Sequence, residues 1–193
     1  MGAVLFFLFL SFVFFVMLPV AIVNTLVAMD EEINSSWANV QAQYQRRYDL
    51  IPNLVTVVER YAKHEKDTLQ AVAEARAKMG STRIDLSAAN QNDLDNFFAS
   101  QVALSGALGK LLAVVENYPT LKADQQFMRL QEELIDTENK VAKFREGFNS
   151  KVKQYNTSVR SVPERFLAKW NGMSPRPYFR AEDNAQRAVS ISK

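Results

Sequence analysis

The first 29 residues contain no Asp, Glu, Lys, Arg or His, and 24 of them are apolar. A hydrocarbon core about 30 Å thick is crossed by about 20 apolar helical residues. The stretch therefore predicts a membrane span over residues 3–23. Ser11 and Pro19 are its only interruptions, and both are tolerated in membrane helices. A cleavable signal peptide needs a basic n-region, a shorter apolar core and a small-x-small cleavage site. No Lys or Arg precedes this run, and Val23-Asn24-Thr25 makes a poor cleavage site. The expectation is a retained anchor. Phe6, Phe7, Phe9, Phe12, Phe14 and Phe15 cover most of the helix circumference, which suits lipid or a neighbouring span.

All 23 Lys and Arg and all 21 Asp and Glu lie beyond that stretch, and the net charge is +2. This near balance argues against a dedicated nucleic-acid binder, which carries a strong basic excess. With no Cys, a disulfide-stapled module and a Cys-ligated metal centre are excluded. Positive-inside counting weighs Lys and Arg near the span. Arg46 and Arg47 are the first on its C-terminal side, so the count leans to a cytoplasmic C-terminal domain.

From Ile33 a seven-residue repeat begins. Ile33, Val40, Arg47, Leu54 and Tyr61 form one row; Trp37, Tyr44, Ile51, Val58 and Glu65 form the other. Such a/d rows mark a packed helix. The register survives Pro52, so the pattern predicts one long helix to about residue 78, kinked at residues 50–52 and stopped by Gly80. Residues 80–92 are small and polar and read as a loop. A second helix is expected over residues 93–118, before Pro119. A third is expected over residues 123–159, where Phe127, Leu134, Val141, Phe148 and Tyr155 recur every seven residues. One or two further turns fit residues 165–170, and Pro177-Tyr178-Phe179 looks like a packing end-piece.

The fold class is therefore all-α: an N-terminal transmembrane helix, then an antiparallel bundle of three long helices plus a short C-terminal helix. The expected divisions are residues 1–29 (anchor), 30–180 (bundle) and 181–193 (mobile polar tail). Nothing breaks helix between Met29 and Ile33, so the anchor is expected to run into the bundle as one rod.

The inventory for catalysis is thin. His64 is the only His, so one chain offers no His-pair metal site, and His64-Glu65 lacks the second His of a metalloprotease motif. No His follows a Glu by three residues, which argues against a ferritin-like di-iron centre. Gly106-Ala107-Leu108-Gly109-Lys110 lacks the spacing and the preceding strand of a phosphate loop. Its plainer reading is close helix packing through Ala103, Gly106 and Gly109. Several polar residues fall on or near the apolar stripes: Arg47, Glu65, Glu116, Glu138, Arg145 and Asn149. A buried charge needs a partner, and such pairs can fix helix register.

Arg46-Arg47-Tyr48-Asp49-Leu50-Ile51-Pro52-Asn53-Leu54-Val55 and Tyr61-Ala62-Lys63-His64-Glu65 strongly resemble the signature of the LemA family. So do Val115-Glu116-Asn117-Tyr118-Pro119-Thr120-Leu121-Lys122-Ala123, Thr137-Glu138-Asn139 and Tyr155-Asn156-Thr157. The likeness runs from the anchor to about residue 180. It departs at Lys169-Trp170-Asn171-Gly172-Met173, where the family tends to a Phe-Gly-Phe-like turn. The resemblance implies a single-pass bacterial cell-membrane protein with a helical-bundle domain. One branch of the family takes part in building magnetosome membranes. No catalytic residue carries over.

Pro52 gives the motif a physical reading. It has no amide hydrogen, so the carbonyl of Tyr48 loses its helical partner. An Arg side chain or Asn53 could serve that carbonyl, near Asp49 and locking a bend. The leading functional expectation is a non-enzymatic scaffold with no catalytic, cofactor-binding or metal site. Its partners would be the lipid bilayer, further copies of itself and other membrane proteins, with no nucleic acid. The alternatives are an adaptor or regulator of a membrane enzyme such as a protease, and a metal-dependent hydrolase using bundle carboxylates.

Overall fold

A computed structural model describes residues 1–80, 84–86 and 88–180; the expected tail over residues 181–193 lies outside these. The chain is all-α, and no strand occurs among the described residues. Helix α1 covers Gly2–Phe12, and Val13–Met17 follow with π-type hydrogen bonding. Then come α2 (Leu18–Tyr61), α3 (Lys66–Gly80), α4 (Gln91–Val115), α5 (Pro119–Lys122), α6 (Gln125–Arg160) and α7 (Glu164–Trp170). The contacts divide the chain into two compact units. One holds residues 1–41 and 143–176; the other holds residues 42–142 and the end-piece from Pro177. Helices α2 and α6 supply residues to both.

In the first unit, residues 1–18 are exposed over the whole helix surface, and Leu26 is the first buried side chain. Beyond it α2 packs on α6 with antiparallel register. Trp37 packs against Phe148 with ring centroids 5.6 Å apart and planes tilted by 55°, and Lys151 pairs with Glu32. Ala168 of α7 is buried in this unit as well.

The second unit corrects the expected helix count. Helix α2 runs through Pro52 and ends at Tyr61, and α3 is a separate helix. The chain reverses at residues 62–65, so that Tyr48 before it and Arg76 after it lie against each other. Heptad spacing could not reveal this break. Val58, Glu65, Val72 and Met79 stay seven apart across it, and Val58, Val72 and Met79 are all buried. The expected kinked helix is thus a helical hairpin, and this unit packs α2, α3, α4 and α6, with the short α5 between the last two.

Helix α4 returns along α3, parallel to α2. Its start is fixed by a capping box: Asn90 Oδ1 accepts from the Asp93 amide, and Asp93 Oδ2 accepts from the Asn90 amide. The two orphan donors are satisfied reciprocally. Helix α6 comes back antiparallel to α2. Its N-terminus is capped by Asp124, whose Oδ1 accepts from the amides of Gln126 and Phe127. The core joins Ile51, Leu54, Val58, Leu104, Leu111 and Phe127 with their neighbours. The end-piece behaves as the sequence implied. Phe179 is buried against Phe98, and the Gln91 amide exchanges two hydrogen bonds with the Tyr178 backbone.

The hydroxyl of Tyr61, the last residue of α2, donates to Asp124 at 2.8 Å. The backbone amide of Phe127, then the Tyr61 hydroxyl, hold the Asp124 carboxyl below its ordinary value of 3.8. A carboxyl with a depressed folded value adds stability above its unfolded value. That stability is lost as pH falls through the folded one. Asp124→Ala should therefore lower the melting temperature at pH 7, and the gap to wild type should close as pH falls below 3.8. Circular dichroism melts of the detergent-solubilised protein at several pH values check this.

Candidate functional site

The family motif in α2 builds a buried polar cluster in the second unit. Arg47 is 1% exposed. It occupies an apolar-row position of α2 and faces α4 and α6. Nη1 donates to Glu138 Oε1 at 2.5 Å and to Ser105 Oγ at 3.0 Å. Nη2 donates to both the carbonyl and the side-chain oxygen of Gln101, each at 2.9 Å. Burying a guanidinium is costly unless it is paired and hydrogen-bonded. Here one carboxylate and three further oxygens meet it. Arg47 and Glu138, each read from the sequence as a charge on an apolar stripe in need of a partner, contact each other directly. Arg46, one residue earlier, makes only a half-exposed contact with Glu133 at 3.5 Å.

Gln101 and Ser105 were not anticipated. A signal for Gln101 was nonetheless present. Leu94, Phe97, Leu104, Leu108 and Leu111 form a buried 3–4 series on α4, and Gln101 occupies a step of it. A polar residue at such a step marks a buried partner for something.

One helical turn on, Pro52 acts through Tyr48. The carbonyl that Pro52 leaves free accepts from Arg76 Nε at 3.1 Å. The same guanidinium lies 3.8 Å from the centre of the Tyr48 ring, a cation–π contact. The partner is an Arg, one of the two expected candidates with Asn53, and it comes from α3. The arrangement docks the returning helix on α2, a contact that the reading of a lock within α2 did not foresee. Gly80 completes it. A Cβ at that position would approach the Tyr48 ring to 3.1 Å. Asn53 is exposed, and Asp49 accepts from Gln45 on its own helix.

Further along, Glu65 accepts from the Tyr118 hydroxyl at 3.0 Å. That contact ties the α2–α3 reversal to the turn before Pro119. The bond to Glu65 and burial both push the Tyr118 hydroxyl above its ordinary value. Glu116 does not join. It is exposed and pairs with Lys122, because it lies just past the end of α4, off the apolar stripe. The glycine face of α4 also departs from expectation. Ala103, Gly106 and Gly109 are exposed, and nothing lies within 4 Å of a Cβ at either glycine. Beside this face, Leu108, Leu112, Leu134 and Ile135 line a groove of about 290 Å³ between α4 and α6, with Glu138 at its edge.

The remaining candidates lie in the first unit. Arg145 and Asn149 are half-buried on α6. Tyr155 and Asn156 are buried. Asn156 exchanges two hydrogen bonds with the backbone of Arg176, at 2.7 and 2.9 Å. Arg176 in turn grips Asp30 bidentately, with both contacts at 2.7 Å. Burial, then the Asp30 charge, raise the Tyr155 hydroxyl above its ordinary value. Asp30 and Arg176 are 146 positions apart, too far for spacing arguments to pair them. Among the described residues, no three His, Cys, Asp or Glu side chains gather as metal ligands.

Arg47, Tyr48, Pro52, Glu65, Tyr118, Glu138 and Asn156 of these clusters lie in the segments that resemble a known family. The LemA family profile matches residues 36–192. The chain belongs to the LemA family. Among its curated relatives are two magnetosome proteins of Paramagnetospirillum magneticum, MamQ 1 and MamQ 2. Each is 28% identical over 173 residues, covering 81% of this chain and 64% of the relative. The magnetosome protein MamQ of Magnetospirillum gryphiswaldense is 26% identical over 189 residues, covering 88% of this chain and 69% of the relative. The chain thus spans less than two thirds of MamQ 1 and MamQ 2.

Removing one member of a buried ion pair costs about 3–5 kcal/mol. Glu138 is 39% exposed, so Arg47→Met should fall at the low end, about 3 kcal/mol in urea unfolding. Glu138→Gln keeps an acceptor but leaves the buried guanidinium without its counter-charge, and should cost about 3 kcal/mol or more. A double-mutant cycle checks the Pro52 assignment. Arg76→Met orphans the Tyr48 carbonyl and should cost about 1–3 kcal/mol. In the Pro52→Ala background the cost should shrink, because the substituted alanine supplies an amide to that carbonyl.

Proposed function

We propose that the protein is a membrane-anchored helical scaffold that works by holding surfaces together, without catalysis. The observation that carries this reading is the N-terminal helix. Its large apolar side chains face outward on every side: Phe7 is 69% exposed, Phe9 63% and Phe15 72%. Exposed apolar patches of this extent mark membrane or protein contacts. Residues 1–18 carry no charge, and the unit buries none of them. A bilayer supplies the missing environment, and the chain then crosses it once.

Further support comes from the polar clusters. The contacts of Arg47, Arg76 and Arg176 pack helices and fix register, with acceptors already in place. That is the chemistry of a rigid spacer. Self-association draws support from the open glycine face of α4 and the apolar groove beside it, since small residues let helices approach closely. The relatives are magnetosome proteins by name, and a membrane-organising role extends that association to this chain. The same surfaces serve an adaptor for a membrane enzyme, which differs in having one stoichiometric partner.

In-cell crosslinking with mass spectrometry tests the scaffold reading. It should give chain-to-chain crosslinks through α4 and α6, from a protein that alkaline carbonate leaves in the membrane. A monomer in mild detergent with no crosslinked neighbour would overturn it. Crosslinks to a single other protein in fixed ratio would favour the adaptor instead.

A further inference from the structure

We infer that α7 and the end of α6 form a second membrane contact. In this contact Phe166 and Trp170 enter the interfacial layer of the bilayer, while Arg160, Arg165 and Lys169 engage the phosphates of anionic lipids. The inference rests on the reading that the N-terminal helix is embedded in the membrane.

The end of α6 stands level with the foot of the apolar span. Within the first unit, Lys151 of α6 faces Glu32 of α2. Arg160 lies nine residues further along α6, about 13–14 Å. Nine residues back from Glu32 along the antiparallel α2 is Val23. The end of α6 therefore stands beside Val23, and Leu26 nearby is the first residue buried by the unit. From Val23 back to Met1 the helix extends about 33 Å, close to a hydrocarbon thickness of about 30 Å. The end of α6 and the helix that follows it thus lie where the lipid headgroups begin.

The outward face of α7 suits that level. At 100° per residue, Arg165 and Lys169 lie about 40° apart, and Phe166 and Trp170 continue the same arc to about 140°. All four are exposed, and Trp170 reaches 88%. Ala168 is buried and Leu167 half-buried on the opposite arc. In water, a 7-residue helix that shows solvent its aromatic residues wastes them. At a membrane interface, Trp is the preferred residue. Val162, in the turn before α7, is 69% exposed on the same unit.

Charge completes the match. Arg160, Arg165 and Lys169 line one concavity with the Gly172 turn. None of the three forms an ion pair among the described residues. Three cations held beside exposed aromatics at the edge of a membrane span match an anionic lipid surface.

Full-length protein in phosphatidylcholine vesicles, with and without phosphatidylglycerol, tests this. Lipids brominated near the headgroup serve as quenchers. The protein has two Trp, and Trp37 is buried. The signal lost in Trp170→Phe therefore belongs to Trp170. That signal should be quenched by about half or more when phosphatidylglycerol is present. The variant Arg160→Ser/Arg165→Ser/Lys169→Ser should lose the phosphatidylglycerol dependence. A Trp170 quenched by aqueous iodide and not by brominated lipid overturns the inference. So does a Trp170 shielded from both, which indicates a protein covering the face. Phe9→Trp in the Trp170→Phe background separates the two readings. If Trp at position 9 is quenched by lipid and Trp170 is not, the anchor stands and α7 is not at the membrane. If neither is quenched, the anchoring reading itself fails.

Discussion

A guanidinium removed from water is the constraint around which the second unit is arranged. Arg47 is 1% exposed, and its burial is tolerable only while acceptors surround it. Those acceptors come from two helices: Gln101 and Ser105 from α4, and Glu138 from α6. A slide of α4 or α6 by one turn, about 5.4 Å, would strip the guanidinium of them. Apolar contacts in the same layer could repack after such a slide at modest cost. The cation thus converts a generally sticky interface into one with a single register, and Leu54, Leu104 and Leu111 then pack in that register. Replacing the pair with apolar residues need not lower stability; what the pair adds is specificity of packing.

Proline plays the complementary role in the same helix. Inside a helix it removes one donor and leaves one carbonyl open. In α2 that opening is what Arg76 of α3 bonds. The local defect thus becomes a long-range contact, reinforced by the Tyr48 ring beneath the guanidinium and by the bare Cα of Gly80. A defect of this kind is more useful for docking than an intact turn. An intact turn offers no strong acceptor on its flank.

What the sequence disclosed follows from the range of the physics involved. The apolar span, the starts of α6 and α7 and the buried rows of α6 depend on composition and on spacing within one helix, and they were legible. The buried pairing of Arg47 was half legible: its position on an apolar row demanded a partner, and Glu138 lay on the stripe of another helix. The reversal at residues 62–65 was hidden, because Val72 and Met79 stay in phase with Val58. No Gly or Pro marks it. Its fixed points are the hydroxyls of Tyr61 and Tyr118, which reach Asp124 and Glu65. These are tertiary bonds that no local pattern records. The glycines of α4 misled for the opposite reason. Small residues permit close packing without requiring it, and in the chain as folded their face stays open.

The boundary between uncharged and charged sequence has a structural counterpart. Asp30 is the first charged residue of the chain. The Asp30 side chain is only 25% exposed, and a partly buried carboxylate is costly without a partner. Arg is suited to that place, since it stays protonated and matches a carboxylate with two parallel bonds. Arg176 makes both of them. It can do so because Asn156 grips its backbone on either side of the peptide. The motif residue Asn156 therefore acts at one remove. It holds the segment around Arg176 so that the first charge after the uncharged stretch is paired. A closing segment that adds little to the core has, in that pairing, a physical reason to be there.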